Sequence, residues 1–363
     1  MSSRRLSPAL VPVQSLVVTF LVDNTIEWFG KLPPGFTREM RQHLDQHPPP
    51  DPDTGVPVLD LERFCCGAHG FSALIETRAS ADTPSHLTLF DTGPDSQSLV
   101  RNLAALQIRT PSISRVVLSH WHADHTGGLL SFLAHRAAHP ELAASTPTCV
   151  VDAHPSRPRA RGIAPPPGDE VLCRLPADPS FAEMADAGAR VEMHDEGHAV
   201  AGGTVWVSGE IPRVTEFEGG LLGGVRFGDS GEWAPEAHLM DERYAAIDVL
   251  GKGLVLFSAC SHAGIVNVVK DAVATFSRPI IGGLHLGGPE LAPRIAPTVD
   301  FLARRLRPAP AYVLPMHCSG FDVKVALQAA LGEGCVPAGA GMQVKVLGES
   351  TDEARVFPPS IAI

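Results

Sequence analysis

Apolar positions along the 363-residue chain fall in short runs, most of them alternating with polar residues and bounded by Gly, Asp or Pro. SLVVTFLVDN, from Ser15 to Asn24, has the period of two that predicts a first β-strand. GFSALIET, HLTLFDTG, RVVLSH, TVWVSGE, AAIDVLGKGLVLFSACSH, RPIIGGLHL and AYVLPMHC predict further strands. Other runs place apolar residues at helical spacing. These are DSQSLVRNLAAL (95–106, opening on an Asp or Ser cap), TGGLLSFLAHRAAH, AGIVNVVKDAVATF and ELAPRIAPTVDFLARRL. The pattern predicts a mixed α/β fold with short connections.

Three stretches rich in Gly, Pro and polar residues interrupt it, near 31–60, 155–180 and 216–240, and are expected to form surface loops or lids. No repeat of 20–50 residues and no sharp change of composition divides the chain, so residues 1–363 are expected to form a single domain. The apolar stretch after Arg4 and Arg5 is broken by Pro12, Gln14 and Ser15, which fits a strand better than a signal peptide. No run reaches the roughly 18 apolar residues of a membrane span.

Forty acidic against 29 basic residues give a formal charge of −11, which argues against non-specific nucleic-acid binding. Seven cysteines without paired spacing point to a reducing, cytoplasmic setting rather than a disulfide framework.

Chemistry concentrates in SHWHADHTGGL. His120 and His122 alternate at a predicted strand end, so their imidazoles can point the same way. Asp124 and His125 follow in the turn before a predicted helix. Imidazole and carboxylate together suit zinc, iron or manganese rather than calcium. One His/His pair beside one Asp/His pair suggests two adjacent ions that share and activate a water. His262, His285 and His317 each end a later predicted strand and can complete the coordination spheres.

With these residues in view, the chain resembles the metallo-β-lactamase superfamily, whose His-x-His-x-Asp-His motif SHWHADH matches. LVDNT, GAHGFSALIET, LFDTG, SGEIPR, LVLFSACSHAGIVN, IIGGLHL and LPMHCSG resemble one branch of it, which includes the dihydropterin–ribofuranosylaminobenzene-phosphate synthases of the methanopterin pathway. The resemblance implies a four-layer αββα sandwich with a binuclear metal site at one edge. It implies that His120 and His122 hold the first ion, Asp124 and His125 the second, and that His317 is the final ligand. Many members carry a later Gly-Asp that bridges the ions. Here SGE, SACSH and GGLH stand at the corresponding strand ends, so no bridging aspartate is visible. His262 is the expected third histidine, with His285 the next candidate. Cys260 is expected to be a small buried residue or a group behind the ligands.

Asp91, at a strand end, can orient a ligand imidazole through its second ring nitrogen, or simply shape the turn before Thr92 and Gly93. Asn24 and His69 are candidates for the pocket lining, or for structural capping. Glu210 is a similar candidate, with Arg213 as an anion clamp. His43 with His47, and His135 with His139, have metal-capable i, i+4 spacing but no third ligand nearby. The basic run PSRPRARG reads as an exposed loop.

The expected activity is hydrolysis of a phosphoester or acyl bond in a small molecule, phosphorylated or not. Two divalent ions would activate the water, with zinc expected before iron or manganese and Asp124 accepting the proton. Two alternatives stay open. One is transfer, condensing a dihydropterin pyrophosphate with a ribofuranosylaminobenzene phosphate. The other is a metal-containing sensor or binding protein with little turnover. No nucleic-acid or membrane partner is expected, and the oligomeric state is not legible.

Overall fold

A computed structural model describes residues 10–138, 147–165, 170–276, 280–281, 291–349 and 360–361. Eight strands form the first sheet, in the spatial order Phe36–Thr37, Gln343–Leu347, Ser15–Val22, Ser72–Arg78, His86–Phe90, Arg115–Val117, Val150–Ala153 and Arg190–Met193. The second sheet orders His198–Val200, Val205–Val207, Ala245–Val249, Gly253–Phe257 and Ile280–Ile281. Three apolar clusters show how these layers stack. Leu16, Val18, Phe20, Ile75 and Phe90 of the first sheet meet Val205, Val207, Ile247 and Phe257 of the second. Helices Ser98–Ala105 and Leu129–Ala137 bury Leu99, Leu103, Leu129 and Phe132 on the outer face of the first sheet. Helices Ile265–Phe276 and Phe321–Leu331 bury Val266, Val269, Val323 and Leu327 beyond the second. Two sheets face to face with helices outside both give the expected αββα sandwich.

The sequence pattern explains these layers. In Ser15–Val22, Leu16, Val18 and Phe20 alternate toward the inter-sheet core, until a register shift between Phe20 and Val22 turns Leu21 and Val22 to the helical side. Just ahead of the helix Ser98–Ala105, Asp95 accepts from the backbone N–H groups of Gln97 and Ser98 and fixes the turn that leads into it.

The insertions are more regular than expected. Residues 155–180 and 216–240 pair with each other in a four-stranded sheet, ordered Trp233–Pro235, Gly224–Phe227, Ala160–Ile163 and Cys173–Arg174. Neither segment can bury its apolar residues alone, and such pairing across some 60 residues leaves no local period to read. In the 31–60 stretch, Phe36–Thr37 adds an edge strand and Glu39–Asp45 a short helix. AYVLPMHC, expected as a strand, is irregular apart from a single bridge between Val313 and Cys335. Among the described residues, no helix is long and apolar enough to cross a membrane.

Asp152, at the end of Val150–Ala153, is fully buried among three cationic or titratable partners. Arg243 reaches its Oδ1 at 2.8 Å, while Arg115 and His198 reach Oδ2 at 3.2 and 2.7 Å. Burial alone would raise this carboxyl's pKa, but His198 and Arg243 outweigh it and bring it to about 2. The Arg243 guanidinium also donates to the carbonyl of Leu118, and its backbone N–H donates to the carbonyl of Ser119. The backbone entering His120 is thereby fixed from below. Replacing Arg243 with Ala leaves the buried Asp152 carboxylate to Arg115 and His198, removes the donors to the Leu118 and Asp152 carbonyls, and is expected to cost about 3 kcal/mol in urea unfolding. A loss within experimental error would contradict this role.

Candidate metal centre

The segment Leu118–His125 leaves the carboxyl end of Arg115–Val117 and enters the short helix Ala123–Thr126, so its side chains gather at one edge of the sandwich. His120 Nε2 lies 3.1 Å from His122 Nδ1, so these two nitrogens address one point. His262, just beyond the strand Gly253–Phe257, places its ring 5.0 Å from that of His120 and 4.9 Å from that of His122. On the other side, Asp124 Oδ2 lies 3.5 Å from His125 Nε2 and 3.2 Å from His317 Nε2. Asp124, His125, Cys260 and His317 each offer one ligand atom, all within 4.8 Å of one another, and His120, Cys260 and His262 do likewise. Cys260 is common to both groups.

A second ring of hydrogen bonds sets which nitrogen of each imidazole faces the cluster. Asp91 Oδ2 accepts from His125 Nδ1 at 2.7 Å and from the Ser119 hydroxyl at 2.6 Å. That hydroxyl, having donated to the carboxylate, accepts from His120 Nδ1 at 2.8 Å. One buried acid thus orients a histidine on each side of the cluster and leaves both Nε2 atoms facing inward. Asn24 Oδ1 accepts from His317 Nδ1 at 3.0 Å, and Asn24 Nδ2 donates to His69 Nδ1 at 3.0 Å. The Glu242 carboxylate accepts from the backbone N–H groups of His262 and Ala263, at 2.7 and 2.6 Å.

Backbone strain collects at the same place. Asp91, Ser261 and His317 have φ of 60°, 60° and 45°, three of the six positive values outside glycine among the described residues. Gly127 and Gly128 are needed for space rather than dihedral freedom. A Cβ on either would come within 2.1 Å of a carbonyl oxygen, that of Pro94 or of Thr92. The metal loop and the Asp91 loop can close together only over those two glycines.

Electrostatics divide the cluster in two. Burial, and then the neighbouring His125, hold His120 well below the ordinary histidine value. Burial and then the Arg161 guanidinium push His122 down to about 3. Both therefore offer lone pairs. Burial would depress His125 too, but the carboxylates of Asp124 and Asp91 outweigh it and raise its pKa well above the ordinary value. Burial opposes ionisation of Asp124, yet His125 and the hydrogen bonds from His125 and His317 keep its carboxyl well below the usual range. A cation entering on that side displaces the His125 proton. The donor set of imidazoles, one carboxylate and one thiol fits a borderline-soft divalent ion on each side.

The cluster opens on a cavity of about 600 Å³, lined by His69, His122, Asp124 and His262 on one wall. Ile163, Leu175, Leu221, Leu222 and Val225 of the paired insertions line the other. Arg161, expected in an exposed basic loop, is instead 4% exposed. It is bound to Asp241, Glu236 and the carbonyl of Trp121. Asp241 also accepts from the Trp121 backbone N–H at 2.8 Å, so the lid sheet is tied to the metal loop. An arginine saturated by two acids leaves no local sign of burial in sequence.

The structure brings together His120, His122, Asp124, His125, His262, His317 and Cys260, with Asp91 and Asn24 directly behind them. His69 sits at the mouth, its side chain 74% exposed and Nε2 3.9 Å from Asp124 Oδ2. His285 and His139 lie outside the described residues. Arg213 is turned to the carbonyl of Leu239 and does not line the cavity, and Glu210 is exposed. His43 pairs with Glu39 at 3.3 Å. Sequence reasoning missed Ser119, Asp241 and Glu242, which act through backbone and proton positions rather than by a spaced motif. Replacing Asp91 with Ala is expected to weaken metal affinity about 10–100-fold in competition with a chromophoric chelator. Unchanged affinity would remove Asp91 from the orienting role.

Residues 69–214 match the metallo-beta-lactamase superfamily. An uncharacterized protein of Methanocaldococcus jannaschii is 28% identical over 256 residues, 70% of this chain and 84% of its own. The 7,8-dihydropterin-6-methyl-4-(beta-D-ribofuranosyl)-aminobenzene-5'-phosphate synthase of the same organism is 28% identical over 264 residues, 70% of this chain and 82% of its own. A solved structure of a metal-dependent hydrolase of the beta-lactamase superfamily aligns over 92% of this chain and 99% of its own, with a TM-score of 0.63 and 18% identity, a likeness of fold. The match to the metallo-β-lactamase superfamily thus spans residues 69–214, and over 70% of its length the chain is similar to that synthase.

Proposed function

We propose that the chain is a binuclear metal-dependent hydrolase that sets water against a phosphoester or acyl bond of a small molecule. The observation that carries this reading is the convergence of two ligand groups on one shared residue, Cys260, beside a cavity of about 600 Å³. His120, His122 and His262 would hold one ion, and Asp124, His125 and His317 the other, with zinc favoured over iron or manganese for this donor set. When bound, the pair supplies Lewis acidity and lowers the pKa of a water between them.

The rest falls to the chain's own residues. Asp124 is held ionised, and at 26% exposure it is the acid of the cluster that opens to the cavity, so Oδ2 is placed to take a proton. Asp91 and Ser119 keep the Nδ1 protons of His125 and His120 away from the cavity. Ile163, Leu175 and the 221–225 turn form an apolar wall opposite the cluster. A cavity of about 600 Å³ suits a ligand of cofactor size. The formal charge of −11 disfavours a nucleic-acid substrate.

A second reading is transfer rather than hydrolysis. It is supported by the similarity to the synthase over 82% of that enzyme's length. The test is metal analysis of the wild type beside His120→Ala and His262→Ala, followed by turnover assays. About two ions per chain are expected in the wild type, with fewer in both variants. Turnover of phosphoesters or acyl esters with water alone supports hydrolysis. Turnover of a pterin diphosphate only when an aminobenzene ribofuranosyl phosphate is added supports transfer. A wild type that binds no metal after reconstitution overturns both.

A further inference from the structure

We propose that Cys260 is the ligand that bridges the two ions, its thiolate standing between the His120 side and the His125 side of the centre. This deepens the binuclear reading and rests on it. The first ground is position. Cys260 is the residue shared by the two ligand groups, with Sγ within 4.8 Å of the donor atoms of His120 and His262 and of those of Asp124, His125 and His317. Its distance to His125 Nε2 is 3.2 Å, and that nitrogen faces inward because Asp91 holds the opposite side of the ring.

The second ground is the turn that carries the thiol. Cys260 is 3% exposed and leaves the strand Gly253–Phe257 just before Ser261, whose φ is 60°. Glu242 grips the two backbone N–H groups that follow Ser261. Such a strained and braced turn presents Cys260 and His262 to the same centre. A cysteine that merely filled space would need neither device.

The third ground is the lack of a rival. Among the described residues, no carboxylate belongs to both ligand groups. Asp91 and Glu242 are committed to the hydrogen bonds behind the ligands. The neighbouring thiol of Cys318 lies against the backbone carbonyls of Ala259 and Cys260 and belongs to neither group. On metal binding Cys260 would lose its proton to solvent, and its thiolate and the Asp124 carboxylate would supply the negative charge set against the two dications.

The test is a cobalt(II) titration of metal-free wild type, Cys260→Ser, Cys260→Asp and Cys318→Ser. Absorbance and metal content are read together, and circular dichroism confirms folding. A bridging thiolate gives a thiolate-to-cobalt charge-transfer band that grows through both equivalents in the wild type and in Cys318→Ser. Cys260→Ser loses the band, and at least one ion binds more than about 100-fold more weakly, beyond what loss of a supporting residue costs. Cys260→Asp regains two ions without the band. Two bound ions with no band in the wild type, a band that persists in Cys260→Ser, or one that saturates at the first equivalent overturns the bridging role and leaves the binuclear reading intact. A wild type that binds no cobalt fails the binuclear reading, and the bridge with it. Should Cys260→Ser not fold, the shape of the wild-type titration decides by itself.

Discussion

Three consecutive charged residues, Asp241, Glu242 and Arg243, are all but fully buried beneath the centre, and the rest of the site hangs on them. Asp241 takes the backbone of Trp121 and the guanidinium of Arg161, Glu242 takes the backbone of His262 and Ala263, and Arg243 takes Asp152 and the carbonyls of Leu118 and Ser119. The brace therefore joins the loop of His120 and His122, the turn of Cys260 and His262, and the lid sheet. Burying three charges is costly unless each is paired and hydrogen-bonded, which fixes the geometry around them. Metal ligands left to mobile loops would sample many arrangements. Here the two loops that carry most of the candidate ligands are referenced to one rigid segment.

The lid follows from the same constraint. Residues 155–180 and 216–240 form a sheet with each other, and Arg161 of the strand Ala160–Ile163 binds both Glu236, just past the strand Trp233–Pro235, and Asp241. The apolar wall opposite the cluster is thus held at a set height above it. Access to the centre and orientation of its ligands share one ion-pair network.

Much of this was legible in the residues because it is local. His120, His122, Asp124 and His125 lie within six positions, and the placement of His262 and His317 beside them matches their predicted positions at the ends of GLVLFSACSH and AYVLPMHC. Asp91 was legible as an acid at a strand end, and its bonds to His125 and Ser119 match that expectation. What stayed hidden depends on contacts far apart in sequence. A buried DER triplet looks like a solvated charge run, and Arg161 looks like one basic residue among several. The pairing of two Gly- and Pro-rich insertions has no period to announce it. AYVLPMHC has a strand's composition, yet His317 needs a φ of 45°, and a regular strand could not supply it. Cys260 reads as a small core residue until the fold sets ligands on both sides of it.

The central claim is a two-ion centre organised around Cys260, and an anomalous-scattering crystal structure of the zinc-loaded protein tests it most directly. Two zinc peaks are expected about 3.5–4 Å apart, with Cys260 Sγ between them and His120 and His125 on opposite sides. A single peak, or zinc bound away from this cluster, would contradict it.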